Sequence, residues 1–126
     1  MSINPSDLYL LARNLMGTNE ASNRSCVSRA YYSAFHDVKI RVKGLPNFQR
    51  SEHSGIIDYL GRPSSFKDDS RIIARKIAFN LNLAKEFRCM ADYDLASDFE
   101  QTIVDQTFDI VDKVINLTDE LVKLQD

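Results

Sequence analysis

The sequence predicts an all-α protein, an up-and-down bundle of four main helices plus one short helix, on three observations. The chain has 126 residues, which is the size of one domain. Its four glycines and three prolines lie in a few places and leave long uninterrupted stretches between them. Apolar residues in those stretches recur at intervals of three and four, and no stretch alternates as a strand does. We therefore expect residues 1–126 to form a single helical domain.

The first helix is predicted to begin after Asn4 and to end at Gly17. Asn4 is a favourable N-cap, and Pro5 suits the first helical position because its ring already has a helical φ angle. Asp7, three residues after Asn4, completes a pattern that resembles a capping box. These signals together indicate a helix start that is specified locally.

The next three helices are bounded in the same way. Thr18 or Asn19 caps the second helix, and Gly or Pro follows the second and third helices. Asp68 and Asp69 place negative charge at the start of the fourth helix, where the helix dipole favours it. The predicted limits are about residues 19–43, 51–60 and 70–90.

The last helix is predicted from about Leu95 to Leu124, where the apolar periodicity is strongest. One seam consists of Ile103, Thr107, Ile110, Val114, Leu117, Leu121 and Leu124. A second seam, one residue further round the helix, consists of Val104, Phe108, Val111, Ile115, Thr118 and Val122. Two adjacent seams form a wider face than a coiled coil uses. We expect this helix to pack against several helices, or against its own bundle and a second subunit.

Charge is distributed unevenly along the chain. Residues 1–88 contain 14 of the 16 Lys and Arg and 8 of the 18 Asp and Glu, which gives a net charge of +6 there and −8 in residues 89–126. A basic first part favours an anionic partner, while the acidic end limits indiscriminate binding of polyanions. The alternative is that the acidic residues form a solvated face of the last helix.

Several classes of protein are excluded by what the sequence lacks. No run approaches the roughly 20 apolar residues of a membrane span, so we expect a cytoplasmic protein with no membrane association. Cys26 and Cys89, with His36 and His53 as the only histidines, do not match a closed zinc site. A glycine-rich phosphate loop and a serine-nucleophile elbow are also missing. We expect no metal, no cofactor and two reduced thiols.

The second helix combines a core face with a face that could carry chemistry. The predicted core stripe is Val27, Ala30, Tyr31, Ala34, Val38 and Val42. Arg29 and His36 are two turns apart and lie nearly opposite that stripe, and Ser25, Tyr32, Ser33 and Ile40 share or border their side.

This grouping has two interpretations. A guanidinium can bind a phosphate and an imidazole can transfer a proton, so Arg29 and His36 suit phosphodiester chemistry without a metal. We predict Tyr32 and Ser33 as substrate-binding neighbours of this pair. The alternative is an ordinary exposed Arg and His on a solvated helix face.

Two further sites are candidates. Arg88 and Asp92 are four residues apart, and they form either a surface ion pair or an anion site in which Arg88 binds substrate and Asp92 supports it. His53 is predicted in the first turn of the short helix, where it caps or packs. We expect its imidazole to be neutral, because the N-terminal end of a helix disfavours positive charge.

Three segments resemble, in order, those of a known family. SRAYYSAFHDVK at residues 28–39 is similar to the signature helix of the HEPN family of small helical-bundle proteins. HSGIIDYLG at residues 53–61 and RCMADYDL at residues 88–95 are similar to the corresponding segments of small stand-alone HEPN proteins. The resemblance extends from the second helix to the start of the last one.

The resemblance implies a homodimer and, as in many HEPN proteins, a metal-independent endoribonuclease with an Arg-x4-6-His motif. Arg29 would then stabilise the scissile phosphate of RNA, and His36 would act on the 2′-hydroxyl or on the leaving oxygen. The products would carry 2′,3′-cyclic phosphate and 5′-hydroxyl ends. Such enzymes serve as toxins or defence effectors that a partner, here a nucleotidyltransferase-type antitoxin, holds in check.

The sequence also departs from the family pattern. Six residues separate Arg29 from His36, at the upper end of the family spacing, and Ala30 stands where active members often have a polar residue. Val38 replaces a tyrosine that one toxin branch has two residues after the histidine. The second hypothesis is therefore a non-catalytic HEPN module that binds a nucleotide or a nucleotidyltransferase partner.

Overall fold

The protein is described here by a computed structural model of residues 2–126, which consists of five α-helices. They are α1 (Pro5–Leu15), α2 (Glu20–Arg41), α3 (Glu52–Gly61), α4 (Asp68–Tyr93) and α5 (Gln101–Gln125). No β-strand occurs in this part of the chain, so the predicted all-α class is confirmed. None of the helices within residues 2–126 is both long and apolar enough to cross a lipid bilayer.

Helix α2 is the centre of the bundle and packs against α1, α4 and α5. Its first residues contact the end of α4 through Arg24 and the start of α5 through Asn23, whose amide donates to Gln101. Helix α2 is therefore antiparallel to α4 and parallel to α5. The short helix α3 packs against α4, beside the bundle axis.

The core forms along the stripe of α2 that the periodicity predicts. All six residues of that stripe are buried, and Phe35 is buried with them. The apolar residues that meet them from α4 and α5 include Ile77, Leu81, Val111 and Val114. Cys26 and Cys89 lie on α2 and α4 as free thiols, and burial raises the pKa of the Cys26 thiol to about 11.

The first two helices begin where their capping residues predict. The backbone N–H of Asn4 donates to the Asp7 carboxylate at 2.8 Å, and Pro5 is the first residue of α1. Asn19 rather than Thr18 caps α2, because its Oδ1 accepts the backbone N–H of Ser22 at 2.8 Å. These contacts are local, which is why the sequence alone predicts them.

The start of the last helix differs from the prediction. Helix α5 begins at Gln101 rather than near Leu95, and the residues between Tyr93 and Gln101 form a loop. The buried guanidinium of Arg24 holds this loop by donating to carbonyl oxygens at the end of α4 and in the loop itself. The acceptors are the carbonyls of Met90 (3.2 Å), Ala91 (3.1 Å), Asp94 (3.0 Å) and Ser97 (2.5 Å).

The wide apolar face of α5 packs against both α2 and α4, as predicted. Two threonines in this face, Thr107 and Thr118, are buried because each hydroxyl donates to a backbone carbonyl one turn earlier, at 2.7 Å. Part of the acidic charge of α5 is neutralised, since Asp112 pairs with Arg13 and Asp119 with Arg41.

The replacement Arg24→Met tests the role of this arginine. We expect the free energy of unfolding to fall by about 2–4 kcal/mol, because buried carbonyls lose their donors. Urea unfolding measures the change, and Ser25→Ala, at the exposed neighbouring position, should stay within about 0.5 kcal/mol of wild type. An Arg24→Met protein as stable as wild type would contradict this role.

Candidate functional site

Side chains from α2, α3 and α4 converge on the ring of Tyr32. His36 lies almost parallel to this ring with 6.1 Å between the ring centroids, and His53 meets it edge-on at 5.6 Å. The Arg88 Cζ atom is 5.5 Å from the centre of the same ring. We call Tyr32, His36, His53 and Arg88 the Tyr32 cluster.

The first turn of α3 is held on α2 by aromatic packing and one hydrogen bond. The His53 ring stacks on Phe35 with 3.9 Å between ring centroids, and its Nδ1 is 2.6 Å from the hydroxyl of Tyr31. Gly55 allows the Phe48 ring to cover this turn, because a Cβ there would lie 2.7 Å from that ring. The loop before α3 and the core of α2 together therefore position His53.

The Tyr31 hydroxyl determines which nitrogen of His53 carries the proton. Burial raises the pKa of Tyr31, so the phenol stays protonated, and His53 is its only hydrogen-bond partner in the described chain. The hydroxyl therefore donates to Nδ1 and leaves the proton of the neutral imidazole on Nε2. Burial lowers the pKa of His53, and Arg88 and Lys85 lower it further. His53 is thus favoured in the neutral form, but burial is the main cause rather than the helix terminus that the sequence analysis invoked.

His36 is half-buried and has a different environment. Burial lowers its pKa, and Lys39 adds to this effect. Neither ring nitrogen has a hydrogen-bond partner within residues 2–126. The ring lines a cleft of about 220 Å³ with Ile3, Asn4, Pro5, Leu8 and Ile40. A neutral imidazole with a free lone pair is therefore available to a ligand.

Arg29 lies on the same stripe of α2 as His36, as predicted. Its side chain is exposed and forms no ion pair within the described part of the chain. Seven residues of helix place the two Cα atoms about 10.5 Å apart along the axis. The two side chains therefore project from one side of α2, about two turns apart.

Arg88 and Asp92 do contact each other, but weakly. Arg88 is only 8% exposed, and its Nη1 is 3.5 Å from Asp92 Oδ2, an oxygen that also accepts from Ser28 at 3.3 Å. The Nε atom of Arg88 is buried without any hydrogen-bond partner. The structure thus brings Arg88 to the Tyr32 cluster and leaves its guanidinium poorly paired.

Ser33, predicted as a substrate-binding neighbour, is not part of the Tyr32 cluster. It is 2% exposed, and its hydroxyl donates to the Ala30 carbonyl at 2.6 Å. Although Ser33 is only about 40° from Arg29 around the helix, α1 and α5 cover this part of α2. There it lines a separate cleft of about 430 Å³ with Tyr9 and Asp112.

The hydrogen bond between Tyr31 and His53 is not evident from the sequence. Tyr31 was predicted in the core stripe and is buried there, but its hydroxyl reaches a histidine 22 residues further along the chain. The neighbouring aromatic residues of SRAYYSAFH were the available signal, since a buried phenol needs a partner. Its identity depends on how α3 docks.

The described residues contain no group of three or more His, Cys, Asp or Glu placed to hold a metal ion. Comparisons of the chain with protein-family models, with curated proteins and with solved structures found no match.

The two histidines make stability depend on pH. Their pKa values are lower in the folded protein than the ordinary value near 6.5, so the unfolded chain binds more protons on acidification. We expect the free energy of unfolding to be highest above pH 6.5 and to fall as the pH decreases through the lowered pKa values. Urea unfolding between about pH 7.5 and 5.5 measures this.

The variant His53→Gln separates the contribution of His53. Its amide oxygen can still accept from the Tyr31 hydroxyl, but the residue no longer titrates. We expect a smaller loss of stability on acidification than in wild type. An identical pH dependence of the two proteins would show that His53 contributes nothing to it.

Proposed function

We propose that this protein is a metal-independent endoribonuclease of the HEPN type, and that it is the toxin or defence effector of a pair with a nucleotidyltransferase-type antitoxin. The observation that supports this most directly is the stripe of α2 on which an exposed Arg29 and an unpaired, half-buried His36 occur together. The three segments that resemble the HEPN family add to it. Cleavage is assigned to Arg29 and His36, and Tyr32 and Arg88 contact the RNA.

In the proposed reaction His36 acts as the general base. Its lowered pKa keeps the imidazole neutral near pH 7, so it can accept the proton of the 2′-hydroxyl. The 2′-oxygen then attacks the adjacent phosphorus, and the guanidinium of Arg29 stabilises the charge that develops on the phosphoryl oxygens. The bond to the 5′-oxygen breaks as this oxygen takes a proton from a water molecule. One product ends in a 2′,3′-cyclic phosphate, and the other begins with a 5′-hydroxyl.

A homodimer accounts for the surface around His36. Ile3 and Ile40 flank the imidazole and are 66% and 67% exposed. Large apolar side chains in such positions favour coverage by another protein surface. In the proposed dimer a second copy covers them and adds its own Arg29 and His36 to the cleft.

The first test is cleavage of a mixed RNA pool in excess EDTA. We expect wild type to produce cyclic-phosphate ends, and His36→Asn to reduce the rate about 100-fold or more, because general-base catalysis is lost. The control is Lys123→Gln, an exposed change in the last turn of α5. Cleavage by His36→Asn at the wild-type rate would contradict the proposal. No cleavage by wild type would favour the non-catalytic module that binds a nucleotide or partner protein.

The second test is the replacement Ile40→Glu. We expect wild type to sediment as a dimer at micromolar concentration and Ile40→Glu to sediment as a monomer, with RNA cleavage lost. Circular dichroism and melting should change little, because Ile40 is exposed within one protomer. A wild-type monomer, or a monomeric variant that still cleaves, would contradict the dimeric site.

A further inference from the structure

Three arginines of this protein have buried or half-buried side chains, and two of them are extensively hydrogen-bonded. Arg24 donates to four carbonyls, and Arg41 binds Asp37 through Nε (2.9 Å) and Nη2 (2.7 Å) and also binds Asp119. Arg88 is buried as deeply as Arg24, yet within the described residues its contacts with acceptors are the 3.5 Å one to Asp92 and one with the Tyr93 hydroxyl. Removing a guanidinium from water is costly unless an acceptor replaces the water.

The unpaired part of Arg88 is the edge that binds anions best. In Arg41 the Nε and Nη2 atoms together hold both oxygens of a carboxylate. On the same edge of Arg88, Nε is buried without a partner in the described chain, and the guanidinium also contacts the Tyr93 hydroxyl. A phosphate oxygen at Nη2 would give this guanidinium an anionic acceptor in place of water.

Two more donors lie next to this edge. Lys85 is one turn before Arg88 on α4, and its Nζ donates to the Ser54 hydroxyl at 2.8 Å without forming an ion pair. His53 directs Nδ1 to Tyr31, so its Nε2–H is a donor that has no partner in the described chain and is open to solvent. One surface region between α3 and α4 is thus bordered by three donors: the Lys85 ammonium, the Arg88 guanidinium and the His53 Nε2–H.

Aromatic rings border the same place. The Arg88 Cζ atom lies 5.5 Å from the centre of the Tyr32 ring and 5.9 Å from that of Tyr93. Tyr93 is the last residue of α4 and is 75% exposed. Positive charge combined with exposed aromatic faces is the arrangement that binds single-stranded nucleic acid, because bases stack on the rings.

We propose that Arg88, Lys85 and His53 form a phosphate-binding subsite that holds a non-scissile phosphate of single-stranded RNA, with Tyr93 stacking on the adjacent base. His36 packs against the same Tyr32 ring that Arg88 contacts, so the subsite would hold the strand beside the cleavage position. This inference rests on the proposed function for the identity of the polymer. The residues that form the subsite are separate from Arg29 and His36.

Binding of an oligodeoxynucleotide tests the subsite without cleavage, because DNA lacks the 2′-hydroxyl. The probe is a fluorescent 12-nucleotide single strand, titrated by anisotropy at several salt concentrations. We expect Arg88→Met and Lys85→Gln each to weaken binding and to lower the slope of log affinity against log salt by about 0.7, the value for one lost contact with a single-strand phosphate. Unchanged slopes in both variants would overturn the subsite.

Two controls make the result specific. Arg75→Gln removes one exposed charge from the same helix about 20 Å from Arg88, and it should leave the slope as in wild type. Arg88→Met should melt no lower than wild type in phosphate-free buffer, because an apolar chain replaces a poorly paired buried cation. If Arg88→Met does not fold, Lys85→Gln alone decides, since Lys85 is only half-buried.

A further arm identifies the source of the phosphate. Inorganic phosphate at constant ionic strength should raise the melting temperature of wild type but not of Lys85→Gln. If that effect occurs while oligonucleotide binding is the same in all variants, the site binds free phosphate and the proposal fails. If the two variants change the salt slope but wild type does not cleave RNA, the subsite is retained and the nuclease proposal is rejected. If wild type cleaves RNA but the variants leave the salt slope unchanged, only the subsite is rejected.

Discussion

Several polar side chains of α2 become buried when three other helices pack around it. The arrangement of the protein depends on where these side chains find hydrogen-bond partners. A buried polar group needs a hydrogen-bond partner. Arg24 donates to carbonyl oxygens at the end of α4 and in the loop after it, the Tyr31 hydroxyl donates to His53, and the Ser33 hydroxyl donates to the carbonyl of Ala30 within α2. The first two contacts each position a neighbouring segment. The stripe that contains Arg29 and His36 is the side of α2 that remains open.

The contact between Tyr31 and His53 also helps to determine the position of α3. Helix α3 has ten residues, a length at which an isolated helix is marginal in water. Its position therefore depends on tertiary contacts, namely its packing on α4 and the hydrogen bond and ring stacking that hold His53 on α2. Any opening of α3 would separate His53 from Arg88 and Tyr32, so the Tyr32 cluster exists only while α3 is docked.

The charged residues of α5 and those around the Tyr32 cluster differ in how they are paired. Two acidic residues of α5 neutralise Arg13 and Arg41, which stabilises the bundle and lowers the positive charge on that side. Arg29 has no such partner, and Arg88 has only a weak one. Arg88 and Lys85 thus place positive charge that is little neutralised at and beside the Tyr32 cluster. Part of the acidic charge of α5 is paired within the bundle, which differs from a fully solvated acidic face.

The helical class, the core stripe of α2 and the cap at Asn4 follow from the sequence, because periodicity and capping depend on residues a few positions apart. The same periodicity puts Arg29, His36 and Tyr32 on one side of α2, while the choice of Asn19 over Thr18 as the cap of α2 comes from the structure. The start of α5 at Gln101, the burial of Ser33 and the position of His53 depend on tertiary contacts. Arg24 and Tyr31 form hydrogen bonds with segments far apart in the chain, and α1 and α5 cover the side of α2 that contains Ser33. Local sequence patterns do not reveal such contacts, because they depend on how the helices dock.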